Sequence, residues 1–113
     1  MQSSRIRRTV RNRAQLSNGQ HDMGNWHLCK TGHMYEVWHY DTFMLGWYDL
    51  SIGPQITRSH LGHGSVTDQQ IVNAIFDELG PTVNLYYSRK GGSHYVTRDH
   101  PDVPSYARKQ KVG

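Results

Sequence analysis

Eight histidines among 113 residues are the first side chains in this chain that could do chemistry, because neutral imidazole is a common metal ligand. His60 and His63 have the His-x-x-His spacing of a ligand pair, but no second pair, cysteine pair or HExxH motif accompanies them. His27, His33 and His39 are expected on different strands or faces. The sequence therefore predicts surface and strand histidines without a bound metal. A hydrolase or metal protein built on His60 and His63 is one hypothesis for function, and it ranks third, behind the two binding hypotheses given at the end of this subsection.

Signatures of enzymatic catalysis are weak. Ser65, His63 and Asp68 are close in sequence, but a loop and a helix rarely align such residues as a triad. Cys29 is the only cysteine, which excludes an internal disulfide and predicts a structural thiol rather than a nucleophile. We find no Walker loop, no GxGxxG before a helix and no cluster of carboxylates. The sequence thus predicts a non-enzymatic protein with no catalytic residue and no cofactor.

Basic residues supply the candidate binding sites. Guanidinium groups suit phosphate, and a basic hairpin tip beside tyrosines could stack on bases. The residues predicted to bind nucleic acid or another partner are Arg5, Arg7, Arg8, Arg11, Arg13, Tyr87, Arg89 and Lys90.

The formal net charge of +4 is distributed unevenly along the chain. Residues 1–13 hold five arginines and no acidic residue, whereas residues 14–97 hold seven acidic residues against four basic ones. The high isoelectric point therefore belongs to the ends, while the body is mildly acidic. This distribution argues against a broad basic face and, if nucleic acid is the partner, favours basic arms.

The hydrophobic pattern predicts a helix over about 67–79. Ile71, Ile75 and Leu79 recur at intervals of four, with other apolar residues widening the stripe. Thr67 is the expected N-cap, with Gln70 completing a capping box. A Gly80-Pro81 pair ends the helix, because glycine suits the position after the last turn and proline cannot continue it.

A C-terminal β-hairpin is predicted over about 83–97. Alternation along 83–88 and again along 93–97 has the period of half-buried strands. Lys90-Gly91-Gly92 provides the backbone freedom for a tight reversal between them.

Further strands are predicted in the N-terminal half. A first strand over about 9–16, turning at Asn18-Gly19, competes with a short basic helix over 5–15, and we prefer the strand. Segments 25–30, 33–40 and 43–50 follow as an antiparallel meander, and in the last of these Phe43, Leu45 and Trp47 are expected on one face. Both faces of this sheet are aromatic, so it is either covered on both sides or presents an exposed aromatic binding surface.

These elements predict an α+β fold, with an antiparallel sheet of about five or six strands, one packed helix and the C-terminal hairpin joining the sheet. The predicted organisation is a basic arm at 1–8, a single domain at 9–97 and a Pro-containing basic tail at 98–113. The chain shows no apolar run long enough to cross a bilayer and no signal-peptide pattern. We therefore expect a cytoplasmic protein that makes no membrane contact.

Several segments resemble a family of small, uncharacterised proteins encoded by actinobacteriophages. The resemblance rests mainly on Gly64-Ser65-Val66-Thr67-Asp68-Gln69 and Tyr87-Ser88-Arg89-Lys90-Gly91-Gly92, with further similarity at 16–19, 24–26 and 37–40. It covers roughly residues 9–97 and excludes both ends. Because the family is a domain of unknown function, it transfers no catalytic residues. It implies a small, cytosolic, phage-encoded accessory protein made during infection.

The leading functional hypothesis is therefore a non-enzymatic phage accessory protein that binds a host or phage macromolecule. A protein partner is ranked slightly ahead of nucleic acid, because aromatic residues and arginines are common anchors of protein interfaces. The alternative is a DNA- or RNA-binding accessory protein that uses the N-terminal arginines and the Arg89-Lys90 tip. The oligomeric state is not readable from the sequence.

Overall fold

The structure, a computed structural model, describes residues 2–59 and 65–108. Within these residues, five antiparallel strands pair in chain order: β1 (Gly19–Met23), β2 (Trp26–Thr31), β3 (Met34–His39), β4 (Thr42–Leu50) and β5 (Gly53–Ser59). The remaining regular elements are α1 (Gln2–Arg11), α2 (Val66–Leu79), β6 (Leu85–Ser88) and β7 (His94–Thr97), with short 3-10 turns at Arg13–Gln15 and Ser105–Ala107. The α+β class and the hairpin are confirmed. The hairpin, however, forms a separate two-stranded sheet and does not join the larger one.

The hydrophobic core lies between one face of the five-stranded sheet and the two helices. Side chains from α1, α2 and this inward face form one buried cluster, to which Val83 and Tyr87 also belong. The largest fully buried side chains of the cluster are Trp26, Trp47, Tyr87 and Phe76. Burial of such large rings supplies much of the apolar area that stabilises a domain of this size.

The N-terminal residues fold as a helix, so the predicted strand over 9–16 is wrong and the competing helix is closer to the structure. Residues 2–8, expected to form an arm, are the first turns of α1. Ile6 and Val10 are fully buried, and their spacing of four places both side chains on one face of the helix. Two apolar residues on one face are therefore enough to attach a helix whose other positions are mostly polar or charged.

The start of α2 lies one residue earlier than predicted, and its cap is a different residue. Ser65, not Thr67, is the N-cap: its Oγ accepts a hydrogen bond from the Asp68 backbone N–H at 3.1 Å. Asp68 Oδ2 in turn accepts the Ser65 backbone N–H at 3.2 Å, which completes a capping box. The predicted end at Gly80 is confirmed, with a φ of 96° that favours glycine.

A bulge in β4 changes which aromatic residues share a face. Val37 pairs with Leu45 and Trp38 with Phe43, so Met44 is an extra residue on β4. Beyond the bulge, Leu45 and Trp47 point into the core, whereas Phe43 pairs with Trp38 on the other face. The prediction that Phe43 shares a face with Leu45 and Trp47 is therefore wrong.

Part of the predicted C-terminal tail packs against the domain. Val103 and Arg98 are buried, and the Arg98 guanidinium donates a hydrogen bond to the Ala107 carbonyl at 2.9 Å. Arg108 donates to the carbonyls of Val103 and Pro101, each at 3.0 Å. Residues 98–108 therefore form a wall beside α2.

Candidate functional site

Two of the α1 arginines make ion pairs with α2. Arg11 forms a bidentate contact with the Glu78 carboxylate at 3.1 and 2.8 Å, and Arg7 lies 3.4 Å from Asp77 and 3.6 Å from Glu78. The hydrogen bonds from Arg11 lower the pKa of Glu78 and raise that of Arg11 itself. These guanidinium groups help to attach α1 to α2 and are only partly available to an external phosphate.

Arg13 also makes internal contacts. Its Nε and Nη2 donate to the two carboxylate oxygens of Asp49 at 2.6 and 3.0 Å, and its Nη1 donates to the Val10 carbonyl. The guanidinium also lies 5.9 Å from the ring centroids of Tyr35 and Trp47. This arrangement joins the end of α1 to the sheet, a structural role that the sequence pattern did not reveal.

The hairpin tip lacks the predicted stacking tyrosine. Tyr87 is only 1 % exposed and belongs to the core, so its ring cannot stack on a base. Lys90 Nζ lies 3.0 Å from Asp102 Oδ1, and this hydrogen bond lowers the pKa of Asp102. Arg89, like Arg5 and Arg8 on α1, has an exposed side chain. The eight predicted binding residues are therefore dispersed over α1, the 3-10 turn that follows it, the core and the hairpin tip, and form no single site.

An aromatic row crosses the outward face of the five-stranded sheet, opposite the helices. His27 on β2 stacks on Trp38 of β3, with ring centroids 6.2 Å apart and planes at 2°. Trp38 meets Phe43 of β4 edge-on at 5.4 Å, and the Arg58 guanidinium on β5 lies 4.2 Å from the Phe43 ring centroid. The four side chains thus make a continuous line over four strands, in the geometries that aromatic and cation–π contacts favour.

The row is solvent-accessible and preorganised. Its three rings are half-buried, the Arg58 side chain is exposed, and Tyr48 on the same face is 41 % exposed. Gly46 leaves room beneath the row, since a Cβ there would lie 3.1 Å from Phe43 Cζ. The β4 bulge and this glycine therefore decide where the Phe43 ring lies. Ring–ring contacts that already exist in the free protein reduce the entropy that ordering would cost on binding.

The charges on this outward face are few and mixed. Strand alternation places Asp22 and Glu36 on the same face as Arg58. Cys29 also lies there, half-buried, and burial together with the nearby Glu36 carboxylate raises the pKa of its thiol. A raised thiol pKa disfavours the reactive thiolate. The face therefore has an apolar and aromatic character with isolated charges, rather than a basic or nucleophilic one.

One histidine contact joins the sheet to α2. His39 Nδ1 lies 3.0 Å from Asp68 Oδ1, and the imidazole stacks on Trp26 with centroids 4.6 Å apart. Because the other Asp68 oxygen and the Ser65 hydroxyl are engaged in the helix cap, this constellation is a structural clamp.

Across residues 2–59 and 65–108, no group of three or more His, Cys, Asp or Glu side chains is arranged to hold a metal ion. His60 and His63, the pair considered from the sequence, lie outside the described residues. None of the described helices is long and apolar enough to cross a membrane. The structure thus defines the protein as an α+β domain with an aromatic row on one face of its sheet. Comparison with protein-family models, with curated proteins and with solved structures finds no match for this chain.

Proposed function

We propose that this protein is a non-enzymatic accessory protein that binds another protein through the outward face of its five-stranded sheet. The carrying observation is the aromatic row of His27, Trp38, Phe43 and Arg58, which the fold orders on the face opposite the helices. Protein interfaces concentrate their binding energy in a few aromatic residues and arginines, surrounded by near-neutral contacts. Trp38, Arg58 and the exposed Tyr48 are residues of this kind.

The composition of the face supports a protein partner over nucleic acid. Aromatic residues, methionine and arginine are enriched in the centres of protein interfaces, whereas strands that bind nucleic acid need excess positive charge along the backbone path. Arg58 is accompanied here by Asp22 and Glu36, so the face carries no excess of positive charge. Of the arginines predicted for the nucleic-acid alternative, Arg5, Arg8, Arg11 and Arg89 are exposed, and the Glu78 carboxylate engages Arg11.

The setting of this binding is also part of the proposal. The resemblance to actinobacteriophage proteins supports a partner that is present during infection, either a host or a phage protein, in the host cytoplasm. The described parts of the matching motifs, residues 65–69 and 87–92, lie at the cap of α2 and in the hairpin, away from the aromatic row. These motifs therefore support the proposed phage setting but carry no information about the partner. The kind of partner is inferred from the chemistry of the sheet face alone.

Affinity capture from an actinobacterial host lysate tests the proposal, with nuclease added and the full chain as bait. We expect a specific protein to be retained by the native chain and by Arg89→Ala, a control for an exposed arginine outside the face. Trp38→Ala and Arg58→Ala should lose it, and with the purified partner each should weaken binding about 30-fold or more, as for a hot-spot residue.

Folding is checked by thermal melting of each variant, because Trp38 also contacts its neighbours. Capture that depends on Arg89 but not on Trp38 or Arg58 would refute the sheet face as the docking surface. Retention of nucleic acid alone, lost on nuclease treatment, would support the nucleic-acid alternative instead.

A further inference from the structure

A second surface lies on the helix side of the domain and is separate from the sheet face. It is a groove of about 920 Å³ that runs along α2, and none of its lining residues belongs to the five-stranded sheet. On α2 and just beyond, the lining positions Val66, Gln70, Asn73, Asp77 and Gly80 follow the spacing of one helix face. The floor of the groove is therefore one side of this helix over its whole length.

Two walls carry positive charge toward this floor. Ser3 and Arg7 of α1 form one wall, and Arg98, Tyr106 and Arg108 of the C-terminal segment form the other. Asp77 is the acidic residue among the described lining residues, and Glu78 lies 3.6 Å from Arg7, so three arginines face two carboxylates. The groove therefore has a net positive character although the body of the domain is mildly acidic.

The Asp77 carboxylate sits between the two walls. Its Oδ1 lies 2.6 Å from Arg98 Nη2 and its Oδ2 lies 3.4 Å from Arg7 Nη2. Arg98 is buried, with its side chain only 6 % exposed, and is held in place by its hydrogen bond to the Ala107 carbonyl. Each guanidinium has five N–H donors, and the contacts named here use only part of them. This arrangement fixes two guanidinium groups around a carboxylate that is still 45 % exposed.

The dimensions of the groove fit an extended chain. From Val66 to Pro81 the helix and its end span about 22 Å, at about 1.5 Å per residue. An extended peptide covers this length with about six or seven residues, at about 3.3 Å per residue. Apolar contacts are available beside the charged ones, because Val66 is 55 % exposed and the ring of Tyr106 is 87 % exposed.

We infer that this groove binds an extended acidic segment of a partner protein, with carboxylates directed to Arg7 and Arg108 and apolar side chains on Val66 and Tyr106, while the buried Arg98 stays paired with Asp77. Planar guanidinium groups bind carboxylates in paired hydrogen bonds, which gives both energy and orientation. The inference goes beyond the proposed function, since it assigns a second binding site to a different face of the domain. The complementarity of the accessible Arg7 and Arg108 to an acidic chain carries it.

The probe for this site is an eight-residue peptide that alternates Glu with Leu, labelled with fluorescein, and the control peptide has Gln in place of every Glu. Fluorescence anisotropy with the full chain should show saturable binding of the acidic peptide and at least about tenfold weaker binding of the control peptide. Added salt should weaken the binding, since the groove is open to solvent.

Substitutions then locate the peptide. Arg7→Gln and Arg108→Gln should each weaken binding about tenfold, whereas Arg8→Gln, an exposed neighbour of Arg7 outside the groove, should leave it unchanged. Asp77→Asn should strengthen it, because this change removes the exposed carboxylate that competes for Arg7 and repels an acidic peptide. Melting curves confirm folding, and Arg108→Gln, whose side chain is exposed, serves if Arg7→Gln is destabilised.

The outcomes separate this site from the sheet face. Trp38→Ala should leave peptide binding unchanged, so failure of one proposal does not imply failure of the other. Absence of saturable binding up to about 1 mM peptide would overturn the inference. Equal effects of Arg7→Gln and Arg8→Gln, equal binding of the two peptides, or preferential binding of a single-stranded oligonucleotide of similar length would also overturn it.

Discussion

Replacing Arg13 with glutamine should destabilise the fold rather than weaken a binding site. The Arg13 guanidinium binds both oxygens of Asp49 at 2.6 and 3.0 Å, and the two side chains are only 15 % and 25 % exposed. Glutamine keeps part of the length and the polarity but removes the charge and the paired geometry. The substitution leaves the Asp49 carboxylate part-buried without its counter-ion.

The structure sets the size of this effect. A hydrogen bond to a charged group contributes about 1.5–3 kcal/mol, and breaking one partner of a buried ion pair costs about 3–5 kcal/mol. Since this pair is partly exposed and its two hydrogen bonds share one partner, we expect a loss of about 2–3 kcal/mol. For 113 residues the unfolding entropy is about 0.24 kcal/mol/K, so the melting temperature should fall by about 8–12 °C.

Calorimetry and urea titration of three variants test this expectation. Arg8→Gln is the matched control, because Arg8 is an exposed arginine of the same segment, and it should change the melting temperature by less than about 2 °C. Asp49→Asn should be destabilising by a similar amount to Arg13→Gln, and the double variant should show a coupling of about 1–2 kcal/mol. Equal, small effects of Arg13→Gln and Arg8→Gln would refute a structural role for Arg13.

Two further predictions concern the hairpin and the cap of α2. Burial raises the pKa of Tyr95 to about 12. Its neutral form therefore stabilises the fold fully below about pH 10, and this contribution is lost as the pH rises from about 10 to 12. In urea titrations over that range, the free energy of unfolding of Tyr95→Phe should fall by about 1–2 kcal/mol less than that of the native chain. A pH dependence unchanged in Tyr95→Phe would contradict this assignment. Ser65→Ala should cost about 1 kcal/mol and lower the melting temperature by about 4 °C, whereas Thr67→Ala, at the cap that the sequence pattern favoured, should be nearly neutral. The reverse order of these two variants would contradict the observed cap.

Helix and turn patterns in the sequence correctly predicted those elements whose defining residues lie close together in the chain. The stripe of Ile71, Ile75 and Leu79 and the stop at Gly80 identified α2, and all three stripe residues are buried. The glycine pair at 91–92 identified the hairpin turn, where both residues have positive φ. In these places the backbone preference and the burial pattern agree, so no distant contact is needed to decide the structure.

Where the sequence left the N-cap of α2 or the role of the α1 arginines ambiguous, the structure shows contacts between residues that are distant in the chain. Ser65 and Thr67 are both competent N-caps, each with a suitable residue three positions later, and the contact between His39 and Asp68 accompanies the choice of Ser65. The arginines of α1 looked like a phosphate-binding arm because their acidic partners, Asp77 and Glu78, are about 70 residues away in the chain. Periodicity within a short window cannot detect such pairs.

The aromatic row shows the same limit for a binding site. Alternation alone indicates that the sheet has two aromatic faces, but the β4 bulge at Met44 determines that Phe43 joins Trp38 and not the core. A bulge adds one residue to one strand, and every side chain before it changes face relative to those after it. The sequence offers no local signal for this insertion, so the row could not be assembled before the register was known.

The position of α1 also determines how nucleic-acid binding can be tested in this protein. Deleting residues 1–13 would remove the exposed Arg5 and Arg8, but it would also remove Ile6 and Val10 from the core. Loss of two buried aliphatic side chains costs several kcal/mol, a large part of the stability of a small domain. Weaker nucleic-acid binding after such a deletion would therefore be explained equally well by unfolding. Substituting glutamine for Arg5 and Arg8 alone removes charge without touching the core, and a salt dependence of binding that survives this change would exclude these two residues as phosphate contacts.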